Sequence, residues 1–86
     1  TRRTLSSLTG RSDSIGGLEL DGSDLTIYWH VQVWKDSGGR FHLEVVSLLA
    51  KPERSCDAIL QHTERACAII LEGRFGAAVV QENQQA

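Results

Sequence analysis

The sequence predicts an α+β domain: an antiparallel β-meander of three strands, a fourth strand after it, and one amphipathic helix packed on one face of the sheet. Three observations carry this. Residues 25–34 alternate strictly between two side-chain sets, the period of a half-buried strand. The turn signals "DG" at 21–22 and "DSGG" at 36–39 bracket that run. Residues 52–73 then switch to apolar spacings of three and four, the period of a surface helix. With 86 residues, of which 41% are hydrophobic, the chain suits one small globular domain over 1–86.

Residues 1–16, "TRRTLSSLTGRSDSIG", are rich in Ser, Thr, Gly and Arg, with Leu5, Leu8 and Ile15 as apolar anchors. This composition reads as an irregular N-terminal arm. "SIGG" lacks the Lys-Ser/Thr of a phosphate loop. The meander is expected over 17–50. "GLEL" forms its first strand and turns through Gly22-Ser23, which sets Leu20 opposite Leu25 and Leu18 opposite Ile27.

Strand two has Leu25, Ile27, Trp29, Val31 and Val33 on one face and Thr26, Tyr28, His30, Gln32 and Trp34 on the other. Parity then fixes the next turn. A three-residue loop, Ser37-Gly38-Gly39, matches apolar with apolar: Val33 with Leu43, Val31 with Val45, Ile27 with Leu49. Such loops end in a left-handed residue, here Gly39. "DSGG" is therefore a bend closed between Asp36 and Arg40.

The helix is expected over 52–73. Pro52 stands in its first turn, Gly73 is its stop, and Cys56, Ile59, Leu60, Thr63, Cys67, Ile70 and Leu71 form its apolar stripe. Asp57, Gln61, Glu64, Arg65 and Glu72 fall mainly on the other side. A strand over 74–81 and a polar tail over 82–86 complete the chain.

A net charge of −2 and a pI near 5.8 give no general pull toward nucleic acid, and the basic residues are scattered. Aromatic platforms for single strands also need a basic surround, whereas the Tyr28–Trp34 face carries Glu44 and no Lys or Arg. No nucleic-acid partner is expected. The longest good apolar run, "ACAIIL" at 66–71, is far too short to cross a membrane, and no basic-then-apolar leader opens the chain. Cys56 and Cys67 fall about 16 Å apart along one helix, too far to pair. Two buried thiols suit a reducing cytoplasm, with Cys56 near the helix start the only candidate for a reactive one.

If the helix covers the Trp29–Val33 face, the outer face is left for function. It carries Tyr28, His30, Trp34, His42, Glu44, Val46 and Leu48, with Trp34 opposite His42, His30 opposite Val46 and Tyr28 opposite Leu48. This patch is more apolar than a solvated sheet face usually is. The expectation is a non-enzymatic binding module that forms a homodimer through it, with a further protein partner as an extension. The alternative is a small-ligand site or enzyme built on Tyr28, His30, Trp34, His42 and Glu44, with Glu44 within reach of His42 or, diagonally, His30. His30 and His42 lie about 13 Å apart along the sheet, too far to share a metal. No metal, cofactor or catalytic residue is assigned.

The succession "IYWHVQVW", "DSGGRFHLEVV" and "DAILQHTERACAIIL" resembles the HicB antitoxins, which carry a hairpin with an acidic-Gly turn followed by a helix with Ala and Leu at such spacings. The resemblance covers about residues 27–72. "SLLAKPE" stands where that family usually has a Pro-rich turn, and the first strand is additional. The resemblance implies a small, non-enzymatic, oligomeric protein that binds another protein, and it carries over no functional residue.

Overall fold

A computed structural model describes residues 4–12 and 24–83. In chain order it contains β1 (Thr4–Ser12), β2 (Thr26–Lys35), β3 (Phe41–Lys51), α1 (Asp57–Phe75) and β4 (Val79–Gln81). The strands form one sheet in the order β1-β2-β3-β4, and the fold is α+β. β1, β2 and β3 are antiparallel neighbours. β4 runs parallel to β3, a direction that requires a crossover between them. α1 is that crossover, so the sheet is mixed.

β1 corrects the expectation of an irregular arm over 1–16. Nine of those residues form a strand, which sets Leu8 opposite Val31, Gly10 opposite Trp29 and Ser12 opposite Ile27. An edge strand needs few apolar residues, because only one row of its side chains meets the core. Gly10 is required here because the Trp29 indole lies where a β-carbon would stand, within 2.1 Å of its Cζ2. The strand expected at 17–20 lies outside the described residues. The place opposite Ile27 that parity assigned to Leu18 belongs to Ser12.

The β2–β3 turn matches the expectation. Gly39 has φ +85°, its N–H donates to the Asp36 carbonyl at 3.1 Å, and the Asp36 N–H donates to the Arg40 carbonyl at 2.9 Å. The Asp36 carboxylate caps the loop by accepting the Gly38 and Arg40 backbone amides at 2.8 and 2.9 Å. Val33–Leu43, Val31–Val45 and Trp34–His42 pair as parity required.

Beyond Val31 the register departs from expectation. A bulge lies between His30 and Val31, so His30 faces Ser47, Trp29 faces Leu48, Tyr28 faces Leu49 and Ile27 faces Ala50. One extra residue on β3, Val46, reverses the parity of all that follows. Leu48 therefore points into the core and Leu49 outward, with 49% of Leu49 exposed.

The helix also shifts. Pro52 follows β3 through a cis peptide bond and is not helical. α1 begins after an extended Cys56, places Asp57 in its first turn, and passes through Gly73 to a left-handed cap at Gly76. The Gly76 N–H donates to the Glu72 carbonyl at 2.8 Å. Asp57 and Arg74 suit the two ends of the helix dipole. Its buried residues are Ile59, Thr63, Glu64, Cys67, Ala68 and Leu71. Cys56 and Ile70, expected on that stripe, are exposed, and Glu64, expected on the polar side, is buried. The buried face is rotated from the expected stripe, and Glu64 lies within it, accepting the N–H of Asn83 just after β4.

The core forms two clusters. Val31, Val33, Leu43 and Val45 meet Cys67, Ala68, Leu71 and Val79, while Leu25, Ile27 and Ala50 meet Ile59. Trp29 and Leu48 pack against both. Phe41 stacks on Phe75 with centroids 4.3 Å apart, closing the end near the turn.

Candidate functional site on the outer face of the sheet

The outer face divides into a locked end and an open end. At the locked end Trp34 is only 5% exposed and stacks on His42 across the strand pair, centroids 5.3 Å apart and planes within 7°. His42 bridges two carboxylates. Its Nε2–H donates to Asp36 Oδ2 at 2.6 Å and its Nδ1–H to Glu82 Oε1 at 2.5 Å. The carboxylates expected from sequence read otherwise: Glu44 stands opposite Gln32 in the register, and Asp36 and Glu82 hold His42. The sequence marks Asp36 only as a turn residue and Glu82 as polar tail. Their convergence depends on β4 lying parallel beside β3, which no local pattern announces.

Both carboxylates favour the imidazolium, so the Asp36 bond first, with Glu82 adding to it, raises the His42 pKa. The same bond to His42, joined by the backbone amide of Arg40, holds the Asp36 carboxyl down at about 2. A histidine whose folded pKa is raised contributes stability that is complete below its unfolded pKa, about 6.5, and is lost as pH rises through the folded value. The Asp36 contribution has the opposite sign: present above its ordinary value of 3.8 and lost as pH falls through about 2. The melting temperature is therefore expected to fall from pH 6 into the alkaline range, and His42→Gln to flatten that slope. Thermal melts of both proteins across this range measure it. An equal slope in the variant would contradict the clamp.

β4 and the segment after it are tied down by three further side chains. The Asn83 amide imitates a strand neighbour of β3, with Oδ1 accepting from Val45 N–H at 2.6 Å and Nδ2 donating to the Val45 carbonyl at 3.4 Å. Glu64 Oε2 accepts the Asn83 N–H at 2.8 Å, and Glu72 Oε2 accepts the Val79 N–H at 2.9 Å. Glu64 is fully buried, and burial pushes its pKa up. Cys67, one turn on, is pushed up to about 11, first by burial and then by the Glu64 charge. It is a core thiol in its inert form. Of the two free cysteines only Cys56 is exposed.

At the open end Tyr28 stands opposite Leu49, each exposed by more than a third, with Val46 exposed beside them at the bulge. Tyr28 and Leu49 border a shallow, open depression of about 470 Å³ that also meets Thr9, His30 and Ser47. Lys51 Nζ sits 5.8 Å from the Tyr28 ring centroid, near enough for a cation–π attraction. Leu48, expected on this face, is on the other side for the reason given above; Leu49 takes its place.

The residues proposed for a ligand or catalytic centre do not converge. Tyr28 and His30 lie at the open end, Trp34 and His42 at the locked end. The four-residue spacing from His30 to Trp34 amounts to about 13 Å of strand. Neither ring nitrogen of His42 is available to a substrate, since each already donates to a carboxylate. Among the described residues no helix is long and apolar enough to cross a membrane. No described group of three His, Cys, Asp or Glu is placed to hold a metal ion.

Three comparisons with known proteins, by family model, by curated sequence and by solved structure, return no match.

Proposed function

We propose that the chain is a small non-enzymatic binding module that associates with a second copy of itself through the open end of the outer sheet face. The observation that carries this reading is the Tyr28–Leu49 cross-strand pair with Val46 exposed on the same strand as Leu49, apolar groups left in water on β2 and β3, whose Ile27, Val31, Val33, Leu43 and Val45 are buried. Contiguous exposed apolar surface rimmed by polar groups marks association sites, and a small domain gains stability by sharing such a face. The rim here is Thr9, His30 and Ser47. The free thiols fit a reducing compartment such as the cytoplasm.

Leu49→Glu tests the reading. Leu49 is 49% exposed, so the change is tolerated in the folded chain, but at an interface it buries an unpaired charge. Sedimentation at micromolar concentration is expected to show a particle heavier than the 9.5 kDa chain, its mass halved by the substitution. An unchanged mass in the variant would exclude this face as the interface.

A further inference from the structure

Two titratable side chains hold consecutive residues just after β4. His42 Nδ1 bonds the Glu82 carboxylate at 2.5 Å, and Glu64 Oε2 accepts the Asn83 N–H at 2.8 Å. The Glu82 N–H also donates to the Leu43 carbonyl at 2.9 Å, and the Asn83 side chain satisfies the N–H and C=O of Val45. These two residues thus extend the three-residue β4 along the edge of β3.

Glu64 is ill placed for a carboxylate. It is fully buried, and its second oxygen, Oε1, has no hydrogen-bond partner among the described residues. A buried charge needs partners for its oxygens. The groups around it supply none. Glu82, from beyond β4, adds negative charge. Cys67, one turn on in α1, is a thiol held in its neutral form. β3 brings Leu43 and Val45 to this side of the helix, and β4 brings Val79. A second orphan lies on the same side of the sheet. Gln81 Oε1 is also buried without a partner. Gln81 follows the buried Val79 by two residues on β4, so it shares the face that α1 covers. Both orphans are acceptors. One proton on Glu64 Oε1 removes the buried charge and makes that atom a donor, on the face that holds the other acceptor.

We propose that Glu64 is a neutral carboxylic acid in the folded protein, and that its proton and the second proton of His42 together form a latch on residues 82–83 that opens as pH rises. Each proton acts on its own residue. The groups facing His42 are Asp36 from the turn, Glu82 from beyond β4 and the Trp34 ring from β2. A neutral imidazole has one N–H, so one of the two carboxylates then faces a lone pair. Asp36 is fixed by the Gly38 and Arg40 amides, and Glu82 is the one released. An ionised Glu64 leaves a charge in the core with one oxygen unpartnered, and water reaches it when Asn83 moves away. Closure raises the proton affinity of both groups: of His42 chiefly through the Asp36 bond, of Glu64 through burial, against the opposing Asn83 amide. The signs agree. Each contribution is complete below the ordinary value, 4.5 for Glu64 and 6.5 for His42, and is lost as pH rises through the raised one. Opening bares the Leu43 carbonyl and both backbone groups of Val45. The latch is independent of any association through Tyr28 and Leu49.

NMR of the full chain tests this in two ways. The Glu64 side-chain carboxyl carbon is expected to titrate above the ordinary glutamate value of about 4.3. Amide protection factors at Asn83 and Val45 are expected to fall with rising pH, by about tenfold for each unit by which closure raises a pKa. Those at Val31 and Val33 are expected to hold. Glu64→Gln keeps an acceptor for Asn83 and a donor for Gln81 but cannot titrate. It is expected to keep Asn83 protected to higher pH, and the double variant with His42→Gln to show no pH dependence there. A Glu64 carbon that titrates in the ordinary range overturns the proposal, and this measurement needs no variant to fold. A fall in protection that Glu64→Gln leaves unchanged also overturns it. So does loss of protection at Val31 and Val33 together with Asn83, because the opening is then global.

Discussion

Gly10→Val is expected to destabilise the protein by about 2–3 kcal/mol, the upper part of the range for overpacking a filled site. For a domain of this length that lowers the melting temperature by roughly 10–20 °C. A β-carbon at Gly10 would stand 2.1 Å from Trp29 Cζ2, 2.5 Å from Cη2 and 2.6 Å from Cε2, so even alanine cannot enter unless the indole moves. The indole has little room, because Trp29 packs against both core clusters. The substitution leaves every other contact of β1 intact. It therefore tests one statement, that Thr4–Ser12 pairs with β2 in the register that sets Gly10 opposite Trp29. Thermal or urea denaturation reads the result. An unchanged melting temperature would mean that β1 is not there.

Leu48→Ala is expected to cost about 2 kcal/mol, at the low end for leucine truncation because the side chain is half-buried. Leu48 packs against both core clusters only because the bulge at Val46 reverses the parity of β3. In an unbulged register it would point to solvent, where truncation costs less than about 0.5 kcal/mol. Urea denaturation of this one variant decides between the two registers.

These two residues also mark the limit of what was legible in the sequence. The hairpin from Thr26 to Val45 could be read because each choice of turn length places the apolar rows differently, and a single choice agrees with Gly39 in a left-handed conformation. The bulge could not. "LEVVSLLA" is apolar in both parities, so the pattern does not say where a residue is inserted. β1 is not legible because "TLSSLTGRS" has the polarity of a loop, and its decisive residue, Gly10, matters only through the tryptophan across from it. The sequence sets the helix start too early because Pro52 is a good opening residue and the preceding chain offers no other mark. The same register governs the candidate site. Tyr28, His30, Trp34, His42 and Val46 were assigned to the outer face by alternation alone. The exchange of Leu48 for Leu49 and the clamp of Asp36, His42 and Glu82 depend on the bulge and on a parallel β4, contacts between residues far apart in the chain.

The physical division of that face into a locked and an open end underlies the functional proposal. The Trp34–His42 stack and the carboxylates on both sides of His42 hold the turn, β3 and the residue after β4 together. Exposed apolar side chains are then left at Tyr28, Val46 and Leu49. Side-chain methyl resonances followed by NMR from micromolar to millimolar protein test this most directly. The Leu49 and Val46 methyls are expected to shift and broaden with concentration, while those of the buried Val31 and Leu43 stay fixed. Leu49 and Val46 methyls that do not change over that range, in a particle with the mass of one chain, would contradict it.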